Sequence, residues 1–191
     1  MLYLTPAAEG LIGALGAVTD DQLGAPTPCP NYMLGDLIEH VNGLSLAFTF
    51  AANKEQPPGG SAAPSGDASR LADGWREQIP VQLRALARAW TLPDAWDGMT
   101  EVGGITLPGE VAGLVAVNEL VVHGWDVSRA SGQPFAADPG LVQECIRLAE
   151  ASADLRPVDG PFGPVVEVPA SAPPLDRLIG LCGRDPAWPA G

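Results

Sequence analysis

Apolar residues recur along this chain at helical rather than strand spacing. In residues 5–18, "TPAAEGLIGALGAV", Leu11, Leu15 and Val18 share one helical face. Thr5 is placed to cap that helix, and Pro6 stands at its first helical position. "TDDQLGAPTPCP" then breaks the pattern with a turn and three prolines. A second predicted helix covers residues 32–53, with Asn31 as its cap and Leu34, Leu37, Ile38, Val41, Leu44 and Phe48 as a wide apolar face. Residues 55–69, "EQPPGGSAAPSGDAS", read as a loop, mobile by composition. A third helix is expected over 68–91, kinked at Pro80. A short hairpin is expected at "MTEVGGIT". The fourth helix runs from Pro108 to Ala130, the fifth over 138–153, and a short helical piece lies at 174–182. No internal repeat is visible. Amphipathic helices with short connections predict an all-α antiparallel bundle over residues 1–153, with 154–191 a Pro-rich extension packed on it.

Composition narrows the partners. At 191 residues and 46% hydrophobic, the chain can bury a real core. Its formal net charge is −13, and the first basic residue is Lys54. No Lys/Arg cluster is present to hold nucleic acid or an anionic membrane. The N-terminal stretch lacks a positive region and contains Glu9, which argues against a cleaved signal peptide. No apolar run reaches the ~18 residues needed to span a bilayer. Cys29, Cys145 and Cys182 form neither a close pair nor a disulfide framework, so a reducing cytoplasm is expected.

Two polar groups interrupt the apolar faces. In "NELVVHGWD", residues 118–126, the i, i+4 row 115, 119, 123, 127 reads Val, Glu, His, Val. Glu119 and His123 therefore project from one apolar stripe. On the second helix the row 37, 40, 44, 47 reads Leu, His, Leu, Ala, so His40, the only other histidine, also points inward. If the two helices are neighbours, the core receives two imidazoles and one carboxylate. That set suits Zn²⁺, or Ni²⁺, Fe²⁺ or Co²⁺, and three protein ligands leave a coordination position open. Spacing alone leaves a second reading open, a buried Glu–His ion pair beside an ordinary core histidine.

"TPCPNYMLGDLIEHV" (27–41) resembles the first helical motif of DinB-like proteins related to mycothiol-dependent maleylpyruvate isomerase. "AVNELVVHGWDVSRASGQP" (116–134) is similar to the second motif of that family. The closing "VEVPASAPPLDRLIGLCGRDPAW" looks like the tail of its small stand-alone members. The resemblance implies a DinB-like four-helix bundle whose metal is held by His40, Glu119 and His123. It departs at Tyr32, where the family commonly has Trp. The full isomerase carries a larger C-terminal domain, where this chain has a short tail.

The resemblance also implies thiol chemistry, with mycothiol or a similar small thiol as cofactor and a small electrophile as substrate. A cation beside a thiol favours the thiolate. The expected activity is S-transfer or isomerisation. The alternatives are a metal-binding or sensor protein without catalysis, and a metal-assisted hydrolase. Related bundles often pair, so a homodimer is an expected partner state. Asp126 can orient a ligand from behind or serve as a helix-surface acid; Asn118 and Trp125 read as structural. Cys29, just before the second helix, can have a lowered pKa or be inert. Arg84 and Arg88 can clamp an anion but read as exposed, and Asp20–Asp21 read as a turn and cap.

Overall fold

The structure, a computed structural model, describes residues 1–152 and 163–189. It is mostly helical. Helix α1 is Thr5–Gly16, α2 Leu34–Asn53, α3 Trp75–Ala89, α4 Pro93–Trp96, α5 Gly109–Ala130, α6 Pro139–Ala151 and α7 Pro174–Leu181. A hairpin, β1 Met99–Val102 and β2 Ile105–Pro108, precedes α5. Among the described residues no helix is long and apolar enough to cross a membrane.

Helix α5 is the axis of the molecule. It is buried on nearly every side, as expected of a helix without a continuous polar face. It packs against α1, α2, α4 and α6, while α3 closes against α1 and α2. Leu11 and Leu15 of α1, Leu37, Ile38 and Val41 of α2, and Ile79, Leu83 and Leu86 of α3 meet Ala116, Val117 and Leu120 in one core. Each set repeats every three or four residues, which is why these stretches fold as helices with one buried face. Helix α7 packs on α6. The expected boundary at 153/154 and the end of the fifth predicted helix lie outside the described residues.

Several boundaries differ from the sequence expectation. Leu4, not Thr5, precedes α1, and no side chain caps it. Asn31 does not cap α2, which begins at Leu34. There Asp36 accepts a hydrogen bond from the Met33 amide at 3.2 Å, so a carboxylate inside the first turn does the work of a cap. The single helix expected over 68–91 is split into a 3₁₀ turn, Ala68–Arg70, and α3. Asp67 Oδ1 accepts from the Ser69 amide at 2.9 Å and favours the tighter turn locally. Pro80 stands in the second turn of α3, where it lacks an N–H to donate. The hairpin forms as expected: Met99 pairs with Pro108 and Val102 with Ile105 across Gly103–Gly104. Both turn glycines have positive φ, 63° and 76°, which a two-residue hairpin turn of this hand requires.

The 55–69 segment crosses α2. Glu39 accepts from the Asp67 amide at 3.0 Å, and Asp36 from the Ala68 amide at 2.8 Å. Arg70 pairs with Glu39 at 2.9 Å and donates to the Ser65 carbonyl. Gly66 allows the close approach: a Cβ there would collide with the Asp36 carbonyl and come within 2.9 Å of the Tyr32 ring. Gly66→Ala is expected to destabilise the protein by about 1–3 kcal/mol through overpacking. Gly24→Ala, which meets nothing within 4 Å, is the control in urea unfolding. Equal midpoints for the two variants would mean that the crossing segment yields without cost.

Candidate metal centre

His40 on α2 and Glu119 and His123 on α5 come together. One ligand atom from each lies within 4.8 Å of the others. The two imidazole centroids are 5.2 Å apart and nearly perpendicular, at 89°. His123 Nε2 lies 2.9 Å from Glu119 Oε2. His123 is buried, while Glu119 and His40 are partly exposed.

Each histidine is held from behind. His40 Nδ1 lies 3.0 Å from the Pro64 carbonyl oxygen. A carbonyl only accepts, so Nδ1 carries the hydrogen and Nε2 keeps its lone pair. The 55–69 segment thus fixes the tautomer of His40. Burial and the neighbouring His123 push its pKa down to about 4, so His40 is neutral at physiological pH.

His123 sits between two carboxylates. Its Nδ1 is 3.0 Å from Asp126 Oδ2, and Nε2 faces Glu119. Burial opposes its charge, but hydrogen bonds to Asp126 and Glu119 outweigh that cost and raise its pKa to about 9. Burial raises the Glu119 pKa, but the hydrogen bond and charge of His123 outweigh it, and the net shift is downward. In the metal-free protein at neutral pH, His123 is therefore an imidazolium that donates from both nitrogens.

Asp126 is fully buried and meets a second cation. Arg184, 6% exposed, reaches it with Nη2 at 3.1 Å from Oδ2 and Nε at 3.4 Å from Oδ1. The sequence Glu119, His123, Asp126, Arg184 is a line of alternating charges that sums to zero. Tyr32 stacks on the other histidine, its ring centroid 5.0 Å from that of His40 at a tilt of 31°.

The remaining candidates lie outside this line. Cys29 is buried, and α2 starts too late for it to sit at a helix N-terminus; burial pushes its thiol pKa up, contrary to the lowered value considered above. Asn118 is buried and accepts from the Cys182 thiol at 3.6 Å. Trp125 packs in the core with the Arg129 guanidinium 5.6 Å from its ring. Arg84 is held by Glu9 at 2.7 Å on the surface, and Asp20 by Arg76. Sequence reasoning missed Arg184 and the Pro64 carbonyl. The one signal for Arg184 was a charge directly after a glycine in an apolar tail, "LCGRD".

Access is narrow. The cavity that Glu119 lines, together with Leu11, Val41 and Phe48, holds about 10 Å³. A depression of about 260 Å³ lined by Cys29, Asn31, Tyr32 and Asp36 meets the tyrosine that covers His40.

The fold and site define a helical protein with a two-histidine, one-carboxylate cluster between two packed helices. The chain belongs to the mycothiol maleylpyruvate isomerase N-terminal domain family, which it matches over residues 4–128. Two uncharacterized proteins, from two strains of Mycobacterium tuberculosis, are each 33% identical to it over 187 residues, covering 93% of this chain and 93% of theirs. Crystal structures of the mycothiol-dependent maleylpyruvate isomerase are similar in fold. A point mutant superposes with a TM-score of 0.59 at 17% identity, and another structure of that enzyme with 0.51 at 16%. Each match covers 77% of this chain and 68% of the isomerase.

Proposed function

We propose that this chain is a metal- and thiol-dependent enzyme, an S-transferase or isomerase, working on a small electrophile from a DinB-like four-helix bundle of α1, α2, α3 and α5. The observation that carries the reading is the convergence of His40, Glu119 and His123 with both histidines anchored through Nδ1. Anchoring of this kind is how metal-ligating imidazoles are oriented.

The donor set fits a divalent ion. His40 is already neutral, with Nε2 free to donate its lone pair. Glu119, Asp126 and Arg184 together carry one net negative charge once His123 gives up its proton, so a cation is welcome there. Three protein ligands leave room for one more. Zn²⁺ is the first candidate, with Ni²⁺, Fe²⁺ or Co²⁺ compatible with the same donors. When bound, the ion would lower the pKa of an adjacent thiol and so supply the reactive thiolate. Because the solved fold neighbours are named as mycothiol-dependent, a mycothiol-type thiol is the first cofactor to test.

The chain's own residues would do the positioning. Pro64 and Asp126 hold the two imidazoles in place, which leaves little reorganisation for binding. The burial of His123 and the apolar wall of Leu11, Val41 and Phe48 beside Glu119 limit the contact of the cluster with bulk water. Tyr32, which stacks on His40 and lines the outer depression, is the side chain whose movement would admit a thiol. Binding the thiol and the electrophile side by side would replace a slow bimolecular encounter with an oriented one.

One observation favours a second reading, a metal-binding protein without catalysis. A 10 Å³ cavity beside Glu119 has room for no more than a water. The test is metal content by mass spectrometry after purification without chelators or a His-tag, for wild type, His40→Ala, Glu119→Gln and His123→Ala. About one metal per chain, lost in all three variants, is the expected result. Mycothiol should then perturb the absorption of the Co²⁺-loaded protein; binding of metal with no response to any small thiol favours the second reading. No metal after reconstitution would return the cluster to a buried ion-pair network.

A further inference from the structure

The C-terminal tail has no part in the family match, which ends at residue 128, yet it reaches the centre of the molecule. Helix α7 ends in a reversal at Gly183, whose φ of +81° is ordinary only for glycine. The Arg184 amide then donates to the Ile179 carbonyl at 3.0 Å, a bond that closes the helix end. The turn sends the Arg184 side chain inward, where it is 6% exposed. Arg129, one turn beyond Asp126 on α5, donates to the carbonyls of Pro186 and Trp188, so the tail is gripped on both sides of Arg184's neighbour Asp185.

We infer that Arg184 is a positioning residue for the His40–Glu119–His123 site, acting through Asp126. Its Nε and Nη2 take one carboxylate oxygen each, at 3.4 and 3.1 Å, and Nη1 donates to the Cys182 carbonyl at 2.7 Å. The guanidinium is therefore fixed at three points. A carboxylate held by such a fork cannot rotate. Oδ2, shared between Arg184 and His123, stays aimed at Nδ1. With Nδ1 so engaged, the ring of His123 presents Nε2 to Glu119, on the side of His40.

Without Arg184, Asp126 would be a buried carboxylate with one partner. It would relax by turning, by taking up a proton or by admitting water, and in each case the His123 ring loses its fixed angle. Removing a group that orients a ligand in this way typically costs 10–100-fold in metal affinity. The nearby Cys29 and Cys182 cannot replace the lost cation, because a thiol ionises only to an anion.

The affinity readout rests on the metal-binding function proposed above, so a second one, in metal-free protein, is independent of it. Three variants are compared with wild type: Arg184→Met, Arg184→Lys, and Arg184→Met combined with Asp126→Asn. The double variant removes both charges and keeps the fold accessible should the single change prevent folding. By Co²⁺ titration, Arg184→Met and the double variant are expected to bind 10–100-fold more weakly, with Arg184→Lys intermediate. In metal-free protein, the slowly exchanging His123 Nδ1–H resonance seen by ¹⁵N NMR should be lost in Arg184→Met while that of His40 persists. Arg184→Met or the double variant binding Co²⁺ like wild type, with the His123 resonance intact and only the melting temperature lowered, would overturn the inference. If wild type binds no metal, the proposed function fails, but the NMR comparison still decides the role of Arg184.

Discussion

Replacing Trp90 by alanine is expected to cost about 3–5 kcal/mol, which is enough to unfold a marginally stable domain at moderate temperature. Trp90 is 1% exposed and among the largest fully buried side chains. Its Nε1–H donates to the Phe48 carbonyl at 3.0 Å, and its own carbonyl accepts from Trp96 Nε1 at 2.8 Å. The two indoles meet edge to face, 5.2 Å between centroids. Gly113 of α5 lets both rings approach, since a Cβ there would lie 2.6 Å from Trp96 and 2.9 Å from Trp90. The alanine variant therefore leaves a large cavity and removes the indole hydrogen bond to the Phe48 carbonyl of α2. Urea denaturation followed by circular dichroism measures the loss. Trp96→Ala, at a partly exposed position, should cost less. A Trp90→Ala loss below 1 kcal/mol would mean that α4 and the hairpin collapse to fill the space.

The second large effect is a pH dependence of the metal-free protein. His123 titrates near 6.5 when unfolded and at about 9 when folded, because Asp126 and Glu119 stabilise its charged form. A group whose pKa is raised on folding contributes stability below its unfolded pKa and loses it as pH rises through the folded one. Stability should therefore fall between pH 6.5 and 9, by on the order of 3 kcal/mol at about 1.4 kcal/mol per pH unit. His40 acts in the opposite direction. Its folded pKa of about 4 means that stability falls as pH drops from 6.5 towards 4. Unfolding midpoints of chelator-treated protein should thus peak near pH 6.5, and His123→Gln should flatten the alkaline side. A wild-type profile that is flat from 6.5 to 9 would mean that His123 is neutral in the folded chain.

What the sequence reveals follows from what periodicity encodes. The buried faces of α1, α2 and α5 repeat at helical spacing, so the inward direction of His40, Glu119 and His123 is legible in the sequence. The start of α2 is not, because Asp36 caps from inside the helix while Asn31 has the better-known chemistry. Nor is the split of the third helix, where the Ser69 amide donates to Asp67 and favours a tight turn locally. The supports of the two histidines are hidden for a deeper reason. Pro64 contributes a backbone carbonyl, which has no residue signature. Arg184 lies 58 residues from Asp126 on an element whose docking no spacing rule describes.

That separation also sets a schedule for the growing chain. Translation makes the three candidate ligands, and the buried aspartate behind them, at least 58 residues before the arginine that balances it. Until then Asp126 must stay hydrated or protonated, since an uncompensated carboxylate in a core is expensive. Helix α5 can settle fully only once Arg184 has emerged, so a segment far downstream of the site determines when the centre of the protein closes.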